Sequence, residues 1–353
     1  MPSFRASLRK VSSSRALIVG ALFLAAVAGL PAEPAENQMV GPRATVPLSP
    51  GAESKVQEPQ SQEPQSQGSQ PQETQTPVAK YDKAIFQKSI PAEQLAALSH
   101  FAGTSANDVI RDKQFRKLLH SLLPDRTFHY GWDMSPFDAF DRVLTGSRQP
   151  VQIRDGRYLM VSSRSGPYLK GRGFVWIDLQ DGIALAAFYF HPTNGEPTPT
   201  VTVFSRQVKE ESLKMSQLPP AFAEALNAWA MESDVPPVTA RYFIGDSNRK
   251  ILLEHDEDYC APGSAAPPAD DCEQMNADAA DIDLNAAYYL DQTNHATNAT
   301  AWMIVGEDQV AWVQLRDNTC RVGPDRLRCR IRMTRDRTHV ILGQHPAAHP
   351  SRK

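Results

Sequence analysis

All four cysteines of this chain lie within one stretch of 70 residues near its C-terminal end: Cys260, Cys272, Cys320 and Cys329. Four cysteines allow three disulfide pairings. A local bridge between the last two is feasible across Gly323-Pro324, which would leave the first two to pair with each other. A zinc site is the alternative, but the spacing contains no Cys-x-x-Cys pair. We expect two disulfides and no metal, so everything before Cys260 must rely on an ordinary hydrophobic core.

The first 32 residues have the pattern of a secretion signal. Arg5, Arg9, Lys10 and Arg15 precede an apolar run at residues 16–30, and cleavage could fall after Ala28, near the end of the run, or after Ala32. The alternative is an uncleaved anchor, but the run is shorter than the roughly 20 residues that a spanning helix needs. No cysteine occurs before Cys260, so none stands at the end of the apolar run to carry a lipid. We therefore predict an exported protein, periplasmic or extracellular, with no stable membrane span after cleavage, and not a lipoprotein.

Residues 33–80 are rich in proline, glutamine, glutamate and serine, with no aromatic residue before the tyrosine that follows them. Such a composition cannot bury enough apolar surface to offset the entropy of ordering. We interpret this segment as a disordered spacer.

Residues 81–250 combine helical and strand patterns. Helices are predicted at residues 91–101, from Ser105 or Asn107 to 122, at 134–144 and at 219–232. Strands are predicted at 151–161, 173–190, 201–205, 239–244 and 250–253, with Asp155-Gly156 and Asp181-Gly182 as two-residue hairpin links. Local links of this kind favour an α+β domain, in which an antiparallel meander has its helices on one face.

Residues 255–345 lose the strand alternation and predict a small, all-α module joined by the cysteines, with helical stripes at 283–290, 299–319 and 326–341. Asp281, Leu284 and Tyr288 stand at i, i+3 and i+7, so they share one helix face. Gln309, Trp312 and Arg316 repeat that spacing. Two such faces packed together would place Tyr288 and Trp312 at the centre of the module.

These features resemble the lysozyme inhibitor LprI family, a set of small exported helical proteins. Its pattern has cysteines before an aspartate, a Leu-Asn pair and a tyrosine, then Gln-x-x-Trp, Arg-Asp-x-x-Cys and a last cysteine with a downstream arginine. Residues 260–341 match it at Asp281, Leu284, Asn285, Tyr288, Gln309, Trp312, Arg316, Asp317 and Arg337. The resemblance implies lysozyme inhibition. The chain departs from the family in lacking a lipid-attachment cysteine and in carrying the large region before the module.

The motif residues Trp312, Arg316 and Asp317 have two interpretations. They could form an inhibitory surface, or they could maintain the fold through core packing and ion pairs. We favour the second, because a motif that occurs together with its cysteines usually maintains a fold.

Charge is unevenly distributed along the module. Residues 251–315 contain thirteen acids and no lysine or arginine. Such a field would steer a basic protein such as lysozyme toward it, although a solvated loop is an equal alternative. The candidate partner-binding acids are Asp256, Glu257, Asp258, Asp270, Asp271 and Glu273.

Residues 316–337 have the reverse charge, with eight arginines and three aspartates. These cations could neutralise the acidic half of the module or face an anionic envelope surface, and we favour internal neutralisation. Nucleic acid is not expected as a partner, because the signal removes the protein from it and few aromatic residues accompany the cations.

Enzyme motifs are absent from residues 81–250. The glycine-rich residues 166–173 lack the Gly-Lys-Ser/Thr ending of a phosphate loop, and His129 and His191 have no nucleophile at a recognisable spacing. The sequence therefore predicts a cell-envelope binding protein without cofactor or catalytic residues. It would inhibit lysozyme, or another cationic protein, by occlusion. The alternative is an envelope enzyme or ligand-binding protein that acts through residues 81–250, with the helical module as an accessory.

Overall fold

The computed structural model describes residues 81–261, 269–295, 299–323 and 325–343. The predicted signal peptide and spacer lie outside these residues. The helices are α1 (Ala92–Ala96), α2 (Ala106–Arg111), α3 (Lys113–Leu122), α4 (Pro136–Leu144), α5 (Pro220–Glu232), α6 (Ala269–His295), α7 (Ala299–Thr319) and α8 (Arg326–Ile341). The strands are β1 (Phe128–Tyr130), β2 (Trp132–Met134), β3 (Gln152–Arg154), β4 (Tyr158–Ser162), β5 (Arg172–Asp178), β6 (Ile183–Phe190), β7 (Thr200–Phe204), β8 (Leu213–Lys214), β9 (Ala240–Ile244) and β10 (Lys250–Glu254).

Eight of the strands form one sheet in the order β3-β4-β5-β6-β7-β9-β10-β8, and β1 pairs with β2 in a separate hairpin. Strands β3 to β7 are an antiparallel meander, as predicted. Two later pairings are parallel: β9 lies beside β7, and β8 lies beside β10. The predicted class, α+β followed by a helical region, is confirmed.

The first predicted hairpin link is confirmed. Asp155 and Gly156 both have positive φ angles, 55° and 61°, as a type I′ turn requires. The second link is longer than predicted, because Asp178 pairs with Ile183 across a four-residue loop. The carboxylate of Asp178 organises this loop by accepting hydrogen bonds from the backbone N–H groups of Gln180 and Asp181.

The predicted helix from residue 105 or 107 to 122 is in fact two helices. Asp112 has an extended backbone and ends α2, while its carboxylate accepts from the N–H groups of Gln114 (2.8 Å) and Phe115 (2.9 Å) and so caps α3. An aspartate that competes for backbone donors favours a helix start over a helix interior.

Both faces of the sheet are covered, so the expectation that the helices lie on one face is wrong. Helices α1 to α4 pack on the face that carries Val175 and Phe188, whereas α5 packs on the opposite face through Phe222 and Trp229. Every residue of β6 is buried, which is the signature of a strand covered on both sides.

The helical module packs against strands β9 and β10 of the sheet. Ala286 and Ala287 of α6 contact Tyr242 of β9 and Leu252 of β10. Two small side chains bring the helix close to the strands, and α8 in turn packs along α6. None of the described helices is both long enough and apolar enough to cross a bilayer.

Candidate partner-binding site in the helical module

Two disulfides fix the ends of the module. Cys260 bonds to Cys272 near the start of α6, and Cys320 bonds to Cys329 across the turn between α7 and α8. This is the pairing that the local spacing favoured, and it leaves no free thiol for a zinc ion. Two disulfides are typical of proteins outside the cytoplasm.

A shared carboxylate joins the three helices of the module. Arg316 of α7 donates a hydrogen bond of 2.8 Å from Nη1 to Oδ1 of Asp281 in α6, and Arg330 of α8 pairs with the other oxygen. The hydroxyl of Thr334 donates to Oδ1 as well, at 3.3 Å. Arg316 is buried, so its charge depends on these partners.

Trp312 lies between two guanidinium groups. The ring centroid is 5.4 Å from the guanidinium of Arg316 and 5.8 Å from that of Arg337. Arg337 also donates to Oε1 of Gln309 at 3.2 Å and pairs with Asp308. The motif residues of α7 and α8 therefore contact one another, and Arg316 donates a further bond to Asp317 at 2.9 Å.

The motif residues of α6 are placed differently. Leu284 is buried, Asn285 is exposed, and Tyr288 is half-buried with its hydroxyl accepting a bond of 2.9 Å from Gln292. Tyr288 and Trp312 were expected to occupy the centre of the module. That expectation is wrong, because both rings are half-buried and Tyr288 lines a groove that Trp312 does not border.

Most of the predicted partner-binding acids are held within the chain. Asp256 accepts from the backbone and hydroxyl of Ser216, and Asp258 accepts from the backbone N–H of Cys260 and from Asn276. Glu257 pairs with the buried Arg241, and Glu273 pairs with Arg328 at 3.0 Å. Asp271 is exposed, while the side chain of Asp270 lies outside the described residues.

These contacts explain the charge pattern of the sequence. Asp281, Glu273 and Asp308 each pair with an arginine of α8, so part of the acidic half is neutralised inside the module. Burial alone would raise the pKa of Glu257, but the charge of Arg241, the neighbouring His255 and the hydrogen bonds to the carboxylate together hold that pKa below its usual value.

Two histidine–carboxylate pairs join the module to the sheet, and sequence reasoning missed both. The imidazole of His255 is buried, with Nδ1 2.6 Å from Oδ1 of Asp283, and its backbone N–H donates to Oδ2 of the same residue at 2.8 Å. His339 of α8 lies 2.6 Å from Oε1 of Glu254. The acids among residues 254–258 indicate that the chain leaves the sheet here. They do not indicate the two pairs, because the members of each pair are 28 and 85 residues apart in the sequence.

The outer side of α7 forms an open groove with α6. The groove has a volume of about 470 Å³. It is lined by Tyr288, Gln292, Met303, Gly306, Glu307, Val310, Ala311 and Gln314. Met303 is 57% exposed and Val310 is 61% exposed. The side chain of Glu307 is exposed and makes no hydrogen bond or ion pair with the other described residues. Sequence reasoning missed this groove, because α7 resembles an ordinary core helix in composition.

His129 is the residue that comes nearest to a catalytic arrangement. Its Nδ1 lies 3.2 Å from Asp133, and its Nε2 lies 3.0 Å from the hydroxyl of Thr193. In catalytic triads the carboxylate is buried and fixes the imidazole, whereas the side chain of Asp133 is 78% exposed. His191 contacts the hydroxyls of Tyr189 and Thr198. Both histidines are half-buried polar groups: His129 lies on β1 of the separate hairpin, and His191 directly follows β6.

The glycine-rich loop at residues 166–173 has a packing role. A Cβ atom on Gly171 would lie only 2.1 Å from the hydroxyl oxygen of Tyr130, so only glycine permits this approach. The same hydroxyl accepts a bond of 3.2 Å from the backbone N–H of Tyr168. Burial raises the pKa of Tyr130 to about 12, which keeps the hydroxyl protonated.

A family model matches the C-terminal segment of the chain. Residues 260–340 match the family model described as lysozyme inhibitor LprI. Neither the curated proteins nor the solved structures give a match to this chain. Among the described residues, no group of three or more histidine, cysteine or acidic side chains is placed to hold a metal ion.

Proposed function

We propose that this chain is an exported binding protein whose helical module, residues 255–345, inhibits lysozyme or another basic protein by occlusion. The family match over residues 260–340 supports this proposal, because the family is one of inhibitors. Inhibition by occlusion requires a rigid surface of complementary shape and charge and no chemistry of its own.

The main structural support for the proposal is that the two faces of α7 differ: one is bonded to the other helices, and one is exposed. Gln309, Trp312 and Arg316 turn toward α6 and α8 and hold the module together. Met303 and Val310 turn outward and remain exposed. A helix whose inner face is fixed by ion pairs and a disulfide presents its outer face without further ordering, which lowers the entropic cost of binding.

Export and domain organisation are parts of the same proposal. The two disulfides and the basic, then apolar, N-terminal sequence support a periplasmic or extracellular location. We assign residues 81–250 to a platform domain and 255–345 to the inhibitory module. The contact of α6 with β9 and β10 would hold the module on that platform.

Complex formation tests the proposal. The full, oxidised chain is mixed with lysozyme and passed over a size-exclusion column at about physiological ionic strength. We expect the two proteins to elute together, and the complex to weaken as salt is raised, since screening reduces the attraction between an acidic and a basic surface. Separate elution at micromolar concentrations of both proteins and low salt would contradict it.

A further inference from the structure

We infer that the groove between α6 and α7 is the docking site for an apolar side chain that is flanked by lysine or arginine on the surface of the basic partner. This inference rests on the proposed function and specifies where that function is carried out. The lining residues come from α6 and α7 only, so the site is formed within the module itself.

Apolar side chains line the outer face of α7. Met303, Val310 and Ala311 stand at i, i+7 and i+8, which places them along one side of the helix. More than half of the Met303 and Val310 side chains is accessible to solvent. Exposed apolar side chains that line a continuous groove mark a contact surface more often than scattered ones do.

The shape of the groove depends on Gly306. A Cβ atom at this position would lie 3.3 Å from the hydroxyl oxygen of Tyr288, closer than ordinary contact. Glycine therefore leaves room beside the Tyr288 ring, which forms one wall, whereas a larger side chain would displace that ring by a few tenths of an ångström. The groove is open to solvent, and its volume of about 470 Å³ is large enough to admit a side chain.

The negative charge of the groove favours a basic protein as its occupant. Among the described residues that line the groove, Glu307 alone is charged, and the sequence has no lysine or arginine on α6 or on α7 before Arg316. The cations Arg316, Arg330 and Arg337 are engaged by Asp281 and Asp308 on the inner side of α7. A second copy of the chain would set Glu307 against another acidic groove, whereas a basic protein would supply a cation to it.

Substitutions on the outer face of α7 test the site. Full-length Val310→Asp and Glu307→Lys variants are compared with wild type for lysozyme affinity by titration calorimetry. Val340→Asp on α8, where the valine is 54% exposed, and Glu224→Lys on α5 are the matched controls. We expect each groove variant to weaken binding by about tenfold or more, with the controls within about twofold of wild type. All four positions are exposed, so thermal unfolding should stay close to that of wild type.

Equal lysozyme affinity in wild type and both groove variants would overturn the site and leave the proposed function standing. If wild type does not bind lysozyme, the proposed function fails, and a synthetic amphipathic helix of leucine and lysine serves as the probe. Binding of this peptide that is lost in Val310→Asp and Glu307→Lys would support the groove as a site for cationic apolar segments. Absent binding, or binding that is equal in all variants, would overturn it.

Discussion

Arg316 of α7 and Asp281 of α6 are joined by a hydrogen bond of 2.8 Å, and both lie within the segment that matches the LprI family model. Arg330 of α8 shares the same carboxylate, so one side chain connects all three helices. Asp281, Arg316 and Arg330 therefore hold the three helices of the module together. The surface that we propose for a partner lies on the opposite side of α7.

The first prediction concerns this carboxylate. Asp281→Asn should lower the free energy of unfolding by about 3 kcal/mol, because it leaves the buried Arg316 charge without its main partner. Chemical denaturation measures the change. Asp336→Asn, on the exposed side of α8, is the control and should stay within about 0.5 kcal/mol of wild type. Equal stability of both variants would show that Asp281 does not hold the helices.

The second prediction concerns the Cys320–Cys329 disulfide. Replacing both cysteines by serine should destabilise the protein by about 2–3 kcal/mol, since a short loop in the unfolded chain is no longer closed. The same change should weaken lysozyme binding, because α7 loses its covalent attachment to α8 and is left with the ion pairs and hydrogen bonds of Arg337 and Arg316. Unchanged unfolding and unchanged affinity in the double variant would contradict the bracing role.

The third prediction concerns acid pH. Burial would raise the pKa of Asp178, but its paired bonds to Arg157, of 2.9 Å and 2.6 Å, and two backbone N–H donors hold it below the usual value. A lowered carboxyl pKa contributes stability that is present above about pH 4, the unfolded pKa, and is lost as the pH falls through the folded pKa. Unfolding by urea at pH 7, 4 and 3 should show this loss.

Asp178→Asn should flatten that acid dependence, whereas Glu224→Gln on the exposed side of α5 should leave it unchanged. If the stability of Asp178→Asn falls with acid as steeply as that of wild type, the Arg157–Asp178 pair is not a source of the dependence.

The fourth prediction concerns the junction between the module and the sheet. Asp283→Ala should leave the buried His255 imidazole and backbone N–H without their acceptor, at a cost of about 2–3 kcal/mol. Hydrogen exchange should then quicken along α6 more than along β5 and β6. The exposed Asn285→Ala is the control. Uniform exchange throughout the chain would mean that this pair does not attach the module.

Local features of the fold could be predicted from the sequence. The Asp155-Gly156 turn is determined by two residues that tolerate positive φ, and β3 and β4 follow from it. The parallel pairing of β7 with β9 could not be predicted, because the chain between them passes through β8 and α5. The position of α5 on the second face depends on the same crossover.

The candidate site, like the fold, could be predicted from the sequence only in part. Helical spacing grouped Gln309, Trp312 and Arg316 correctly, since residues on one helix face are fixed by sequence alone. The acids at residues 256–258 were interpreted as a partner surface, but distant partners such as Arg241 and Ser216 engage two of them. The groove was missed because an apolar helix face has the same composition whether its own chain or another protein covers it.

The most direct test is a titration of lysozyme activity. The full, oxidised chain is added to a fixed concentration of lysozyme, and the lysis of peptidoglycan is followed by turbidity. We predict that the rate falls in proportion to the added chain and levels off near one chain per lysozyme. A lysis rate that stays unchanged at a tenfold molar excess of the correctly folded chain would contradict the account.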